Sequence, residues 1–375
     1  MNNLVGKTTT EIENILRELG EKPFRGRQIA AWIYRRGATS FDEMTDLSSG
    51  LRERLKIEYS IGFPHVAERF PSRDGSEKLL LQLSDGEQVE TVRLPYADRV
   101  SVCVSSQAGC AMKCQFCATG MGGFRRNLSV SEIIAQPLLA SQSEEKRVKS
   151  EEFDVRSPLF TSHSSLPTHI VFMGMGEPLL NLQNVLPTIG LMHDEMGIPY
   201  RHITVSTVGI LPGIEKLADA KIPVTLAVSL HAPDDELRHR LIPTVTKTRV
   251  LDLVNASKEY LRQTGRRVTF EYVVLGGVND DANRARLLAQ LCRGWPIHVN
   301  LIPWNDVPGA NLEKQDFIAS KPEVLREFKN ILERAGVSVT QRMQRGADVA
   351  AACGQLRTLK NATSSTRSEQ LVTLS

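Results

Sequence analysis

The sequence predicts an α/β chain built on parallel strands, on two observations. Between residues 99 and 335, short β-branched runs alternate with helical patterns about six times, and alternation of this kind implies crossover helices over a mostly parallel sheet. The polar, glycine-containing segments follow the ends of those strands, where α/β folds place their sites. An α/β barrel or an open doubly wound sheet satisfies both. Six units fall short of the eight of a closed barrel.

The elements follow in order. Thr8 and Glu11 form a capping box ahead of Ile12, Ile15, Leu16 and Leu19 at helical spacing. A second helix carries Ile29, Trp32 and Ile33 and ends at Gly37, so residues 1–72 make a small helical unit. Residues 78–84 and 87–94 flank Asp85-Gly86, a dipeptide suited to a tight turn, giving a β-hairpin extension over 73–96. The core runs over 97–357, with strands expected at 99–105, 169–173, 202–206, 223–229, 268–274 and 297–302. Helices are expected at 129–142, 180–193, 212–220, 248–264, 281–292 and 322–335, the first capped by Ser129 and Glu132 and the fifth by Asp281. Residues 143–167 mix Ser, Pro and both signs of charge without a period and read as a mobile surface insertion. The polar tail 358–375 is expected to be disordered.

Composition excludes little beyond wholesale disorder and fibrous classes: 41% of the 375 residues are hydrophobic and 24% charged. With 46 Lys plus Arg against 43 Asp plus Glu, the net charge of +3 does not announce a nucleic-acid binder. Locally the balance differs. Lys22, Arg25, Arg27, Arg35 and Arg36 fall in a stretch, 22–41, with no acidic residue, which taken alone reads as a solvated helix face. No apolar run approaches the roughly 18 residues of a membrane span, and the start lacks the apolar core of a signal peptide. A cytoplasmic protein without membrane contact is expected.

Four of the six cysteines, Cys103, Cys110, Cys114 and Cys117, fall within fifteen positions. In a cytosolic chain such clustering points to metal or catalysis. Cys110, Cys114 and Cys117 have the spacing C-x3-C-x2-C, with no fourth cysteine or histidine on the same loop. An uncompleted trio suits a metal centre with an open position. Gly176 and Glu177, Ser206, Ser229-Leu230-His231 and Asn305 then recur at strand ends as a ligand lining. Cys353 lies between Gly346 and Gly354, which can bend a loop to bring the thiol inward. Cys292, in LLAQLCRGW, reads as a buried hydrophobe.

The cysteine trio, with Phe116 before its last member, resembles that of the radical S-adenosylmethionine enzymes. Together with MGMGEPLLN, SLHAPDD, NLIPWN and RGADVAAACGQL, the chain resembles the bacterial dual-specificity RNA adenine-C2 methyltransferases from about residue 8 to 357. The resemblance implies a partial (βα)6 radical-SAM barrel with the helical unit and the hairpin as additions. It implies a [4Fe–4S] cluster on Cys110, Cys114 and Cys117, and S-adenosylmethionine held by Gly176, Glu177, Ser206, Ser229, Leu230, His231 and Asn305, with two molecules used per turnover. The implied substrates are adenosine 2503 of 23S ribosomal RNA and adenosine 37 of transfer RNA. Cys353 is the implied methyl carrier, Glu90 the base, and Cys103 the thiol that closes a Cys103–Cys353 disulfide. A one-electron donor such as ferredoxin or flavodoxin, a thiol reductant, and action as a monomer complete the expectation. With RNA as partner, the 22–36 basic run and Arg125 and Arg126 become candidate phosphate contacts. Two alternatives stay open: a sibling enzyme that methylates C8, and a non-catalytic iron–sulfur or zinc RNA-binding protein.

Overall fold

The computed structural model describes residues 2–142 and 166–357. The insertion expected at 143–167 lies outside these residues except at its last two positions, and the tail 358–375 lies wholly outside them.

The chain opens with β1 (Asn2–Asn3), α1 (Thr9–Glu18), α2 (Phe24–Tyr34), α3 (Ser49–Glu58) and β2 (Tyr59–Ser60), which pairs with β1. The Thr8–Glu11 capping box is formed, and α1 buries Ile12 and Leu16. Helix α2 stops at Tyr34, three residues before Gly37, which takes a positive φ of 67°. Helix α3 escapes the sequence pattern because SGLRERLKIE buries only Leu51 and Leu55; Ser48 caps it. The helical unit is tied to the core through Glu195, whose carboxylate accepts from the Thr9 amide at 2.8 Å and hydroxyl at 2.7 Å.

Next come β3 (His65–Pro71), β4 (Glu77–Gln82), β5 (Gln88–Pro95) and β6 (Val100–Cys103), four strands paired antiparallel in sequence order. The Asp85-Gly86 turn joins β4 to β5 as expected, while β3 is an addition to the hairpin. A compact loop of β7 (Gln107–Gly109), α4 (Ala118–Gly122) and β8 (Phe124–Asn127) leads into α5 (Val130–Ala140). The alternation resumes with β9 (His169–Phe172), α6 (Leu182–Asp194), β10 (Ile203–Thr207), α7 (Leu211–Asp219), β11 (Thr225–Ser229), α8 (Asp235–Leu241), α9 (Val250–Thr264) and β12 (Val268–Val274). It ends with α10 (Ala282–Cys292), β13 (His298–Pro303), a short hairpin of β14 (Asn311–Leu312) and β15 (Gln315–Asp316), α11 (Pro322–Arg334) and β16 (Ser338–Gln341).

One ten-stranded sheet runs in the order β16-β13-β12-β11-β10-β9-β6-β5-β4-β3. From β6 to β16 every pairing is parallel. The six expected strands are therefore present, and β16 adds a seventh after α11. The two ends, β16 and β3, do not pair, so the barrel is open. Strands covered on both faces lose the in-out alternation, and all seven residues of β12 are buried.

After β16 the chain turns back onto the hairpin. Asp348 accepts from the Ser72 hydroxyl at 2.5 Å, Asp74 from the Gly346 amide at 2.9 Å, and Arg345 donates to the Pro95 carbonyl. A side chain at Gly346, with φ of 66°, would sit 2.8 Å from Ala351 Cβ, so this bend needs glycine. These bonds hold Cys353 where the hairpin meets the barrel.

Candidate active site

The three clustered cysteines occupy the loop after β7, and its backbone is fixed from three sides. The Cys110 amide donates to the Gly123 carbonyl at 2.9 Å, the Gln115 amide to the Leu241 carbonyl at 3.0 Å, and the Thr244 hydroxyl to the Met112 carbonyl at 2.7 Å. The Ala118 amide donates to the Gly354 carbonyl at 2.7 Å, which joins this loop to the one carrying Cys353. Cys110, Cys114 and Cys117 line one cavity, against an apolar wall that includes Leu237, Leu241 and Trp304. Burial raises all three thiols, Cys110 to about 12 and Cys114 well above its ordinary value.

The donor set fits a multinuclear cluster rather than a single ion. Three thiols from one loop line the same cavity, a donor set that leaves one corner of a four-metal cluster open, whereas a structural zinc ion takes four closed ligands. Behind the triad, Arg238 is fully buried. Its guanidinium donates to the Val208 carbonyl, while Nε and Nη1 have no partner. A buried cation is costly without a counter-charge, and the group acting most on this one is Cys114. An anionic cluster held by Cys110, Cys114 and Cys117 would supply that charge.

Five of the seven residues expected to hold S-adenosylmethionine line the same cavity: Gly176, Glu177, Ser206, Ser229 and His231. Gly176 has φ of 103°, and a Cβ there would stand 2.6 Å from Gln107 Cβ, so only glycine lets the strand-end loop pass. Glu177 is fixed by the Val208 amide at 2.8 Å and the Leu179 amide at 3.0 Å. Burial pushes its carboxyl up to about 7. His231 also has a positive φ, 60°; its Nδ1 accepts from the Val273 amide at 3.0 Å, and its ring meets Phe116 edge-on at 4.7 Å. Burial and the Arg238 charge push it down to about 3, so it is a neutral ring.

Leu230 and Asn305 are placed otherwise. Leu230 is fully buried and outside the cavity lining, its amide donating to the Glu271 carbonyl at 3.0 Å. Asn305 lines an adjoining cavity and donates to the Cys353 carbonyl at 2.9 Å; its own Oδ1 is buried without a partner.

That adjoining cavity holds the second cysteine pair. Cys103 and Cys353 both line it, and Cys353 also lines the triad cavity, so Cys353 stands on the shared wall. Both are free thiols. Burial pushes Cys103 up to about 12, with the Arg342 charge opposing. Glu90 is on the strand face of Val92 and Leu94, which line this cavity, but does not line it itself. Its Oε2 accepts from the Arg357 amide at 2.9 Å, and its Oε1 lies 2.9 Å from Lys78 Nζ. Cys292 is buried in α10, as expected.

The sequence pattern missed Lys78, Glu271 and Arg342. The last two line the triad cavity, with Glu271 accepting from Asn300 at 2.8 Å. The strand alternation of Glu271 in VTFEYVV and the position of Arg342 after β16 become signals only once strand order is known.

Residues 2–61 match the family described as the ribosomal RNA large subunit methyltransferase N-terminal domain, and residues 104–288 match the radical SAM superfamily. The chain is 44% identical to the probable dual-specificity RNA methyltransferase RlmN of Thermosynechococcus vestitus, over 94% of this chain and 98% of that protein. The chain belongs to the RlmN family. The RlmN of Rhodopirellula baltica is likewise 44% identical, over 95% of this chain and 91% of its own. A solved radical SAM methyltransferase from Sphaerobacter thermophilus has the same fold at a TM-score of 0.85 and 40% identity, covering 95% of this chain and 99% of that one. For an RlmN family member the radical SAM match implies a [4Fe–4S] cluster and S-adenosylmethionine. Among the described residues no helix is long and apolar enough to cross a membrane.

Proposed function

We propose that this chain methylates C2 of adenosine 2503 in 23S ribosomal RNA and of adenosine 37 in transfer RNA, by way of Cys353. One observation carries the reading: Cys353 stands on the wall between the triad cavity and the cavity of Cys103. A thiol in that place can be loaded from one side and relieved from the other.

Cys110, Cys114 and Cys117 hold the cluster, and Gly176, Glu177, Ser206, Ser229 and His231 hold S-adenosylmethionine. When bound, these groups would supply a methyl to the Cys353 sulfur and the means to remove a hydrogen atom from that methyl, one molecule of S-adenosylmethionine for each. Cys353 then carries a methylene that bonds to C2. That bond leaves an unpaired electron on the adenine; as Glu90 accepts the C2 proton, the electron would pass back to the cluster that Cys110, Cys114 and Cys117 would hold, leaving a closed-shell adduct. The Cys103 thiolate attacks the Cys353 sulfur, an S–S bond forms, and the S–CH2 bond breaks. Its electron pair stays on carbon, which takes a proton to become the 2-methyl group. A thiol reductant reopens the Cys103–Cys353 disulfide. A one-electron donor of the ferredoxin or flavodoxin class serves the cluster, and the enzyme acts as a cytoplasmic monomer.

The helical unit is the RNA-binding domain in this reading; it ends before β3 rather than at residue 72, because β3 joins the sheet, and β3 to β5 extend the core. Of its basic residues, Lys22, Arg27, Arg35 and Arg36 are exposed, although Arg27 pairs with Glu13 at 2.5 Å. Arg125 is exposed beside the triad loop. Arg126 is already committed to Asp85 at 2.5 Å and Glu132 at 2.8 Å, which makes it a link between hairpin turn and α5 rather than a phosphate contact.

Expressed in a host lacking its own C2 enzyme, the chain should restore 2-methyladenosine to both RNAs, read by mass spectrometry of nucleosides. Appearance of 8-methyladenosine in place of the 2-methyl isomer overturns the choice of carbon.

A further inference from the structure

Lys78 is a buried basic side chain in β4, next to the apolar run Leu79–Leu81. The hairpin register sets Leu80 opposite Glu90 and Lys78 opposite Val92, which leaves Lys78 and Glu90 as diagonal neighbours on one face. Lys78 Nζ lies 2.9 Å from Glu90 Oε1, the two side chains being 9% and 2% exposed. The same nitrogen donates to the Ala350 carbonyl at 3.3 Å and stands 4.9 Å from the centre of the Phe70 ring. Ala350 precedes Cys353 by three residues and holds a positive φ of 49°. One ammonium thus joins the carboxylate of β5 to the loop of the methyl-carrying thiol.

Stability alone explains this poorly, because an apolar pair of similar volume does as well at such depth. What an ammonium adds is a fixed charge state and a fixed position. We propose that Lys78 is a positioning residue for methyl transfer, keeping the Glu90 carboxylate ionised and in register with the Cys353 loop. The proposal rests on Glu90 being the base. The charged groups facing Glu90 are Lys78 from β4 and Arg357 from the C-terminal segment; burial pushes the carboxyl up and both of these pull it down. Burial already outweighs these pulls, so loss of Lys78 raises the carboxyl further, more of Glu90 holds a proton at a given pH, and the C2 proton then lacks its acceptor. The RNA then stays bonded to Cys353.

The test follows release of RNA from the covalent species on denaturing gels across pH, in full-length cluster-loaded protein with Cys103 intact. In Lys78→Met the acid limb of release moves up by about 1–3 pH units, the range for loss of an adjacent opposite charge. Lys78→Arg restores the wild-type profile. The Lys78→Met/Glu90→Gln double variant is no slower than Glu90→Gln, since both act through one carboxylate. A Lys78→Met enzyme slowed equally at every pH, or additive losses in the double variant, overturns the proposal. If Glu90→Gln releases RNA at the wild-type rate, the base assignment itself is wrong. If Glu90→Gln traps RNA while Lys78→Met keeps the wild-type profile, only the Lys78 proposal fails.

Discussion

Cys353→Ala abolishes RNA methylation, by a factor on the order of 10⁴ or more, the scale of losing a covalent nucleophile, while iron content and S-adenosylmethionine binding persist. The C2 carbon of adenine is electron-poor and does not attack a sulfonium methyl, so the methyl has to be held on a protein atom beside both cofactor and base. Outside the triad itself, Cys353 is the cysteine that lines the triad cavity among the described residues. Cys103 lies in the adjoining cavity but not in that of the triad, and Cys292 is enclosed in α10. Cys353 is part-exposed, and its backbone contacts, including the Asn305 bond to its carbonyl at 2.9 Å, do not need the sulfur. Folding should therefore be changed by no more than about 0.5 kcal/mol. Nucleoside mass spectrometry and iron analysis on the same preparation check both halves, and normal 2-methyladenosine in this variant refutes the carrier role.

Cys103→Ala has the second largest effect, and of a different kind: the RNA stays attached. Loading of Cys353 and bonding to C2 involve the triad cavity, which Cys103 does not line, so the early steps proceed. Opening the thioether requires a sulfur that can reach Cys353, and Cys103 lines the same cavity as Cys353. Its thiol is pushed up to about 12 by burial and by neighbouring Cys353, opposed by the Arg342 charge, so its attack requires loss of the thiol proton. Most of the Cys103→Ala protein should migrate with RNA on a denaturing gel after incubation with both substrates, and the band should vanish when Cys353 is also replaced. Free, methylated RNA released at the wild-type rate contradicts the resolving role.

Much of this was legible in the sequence because its signals are local. The C-x3-C-x2-C spacing needs no tertiary knowledge, and the Thr8, Ser129 and Asp281 caps form as their side chains dictate. The six parallel strands follow from alternation alone. Elements fixed by tertiary contact were not legible. β3 carries two charges and ends on Pro71, and β16 is a four-residue strand, SVTQ, ordered by pairing with β13. Lys78 acquires meaning only through hairpin register, which the Asp85-Gly86 turn does encode, since it sets Leu80 against Glu90. Leu230 shows the converse: its neighbours Ser229 and His231 reach the cavity while its own side chain packs in the core.

Transfer from S-adenosylmethionine bearing a fully deuterated methyl tests the central claim most directly, with the product nucleoside weighed after reaction in ordinary water. Passage through a methylene on Cys353 predicts that one deuterium is lost and replaced by solvent hydrogen in each transferred methyl. A 2-methyladenosine that retains every deuterium would contradict the account, because the methyl would then have moved intact and Cys353 would carry nothing.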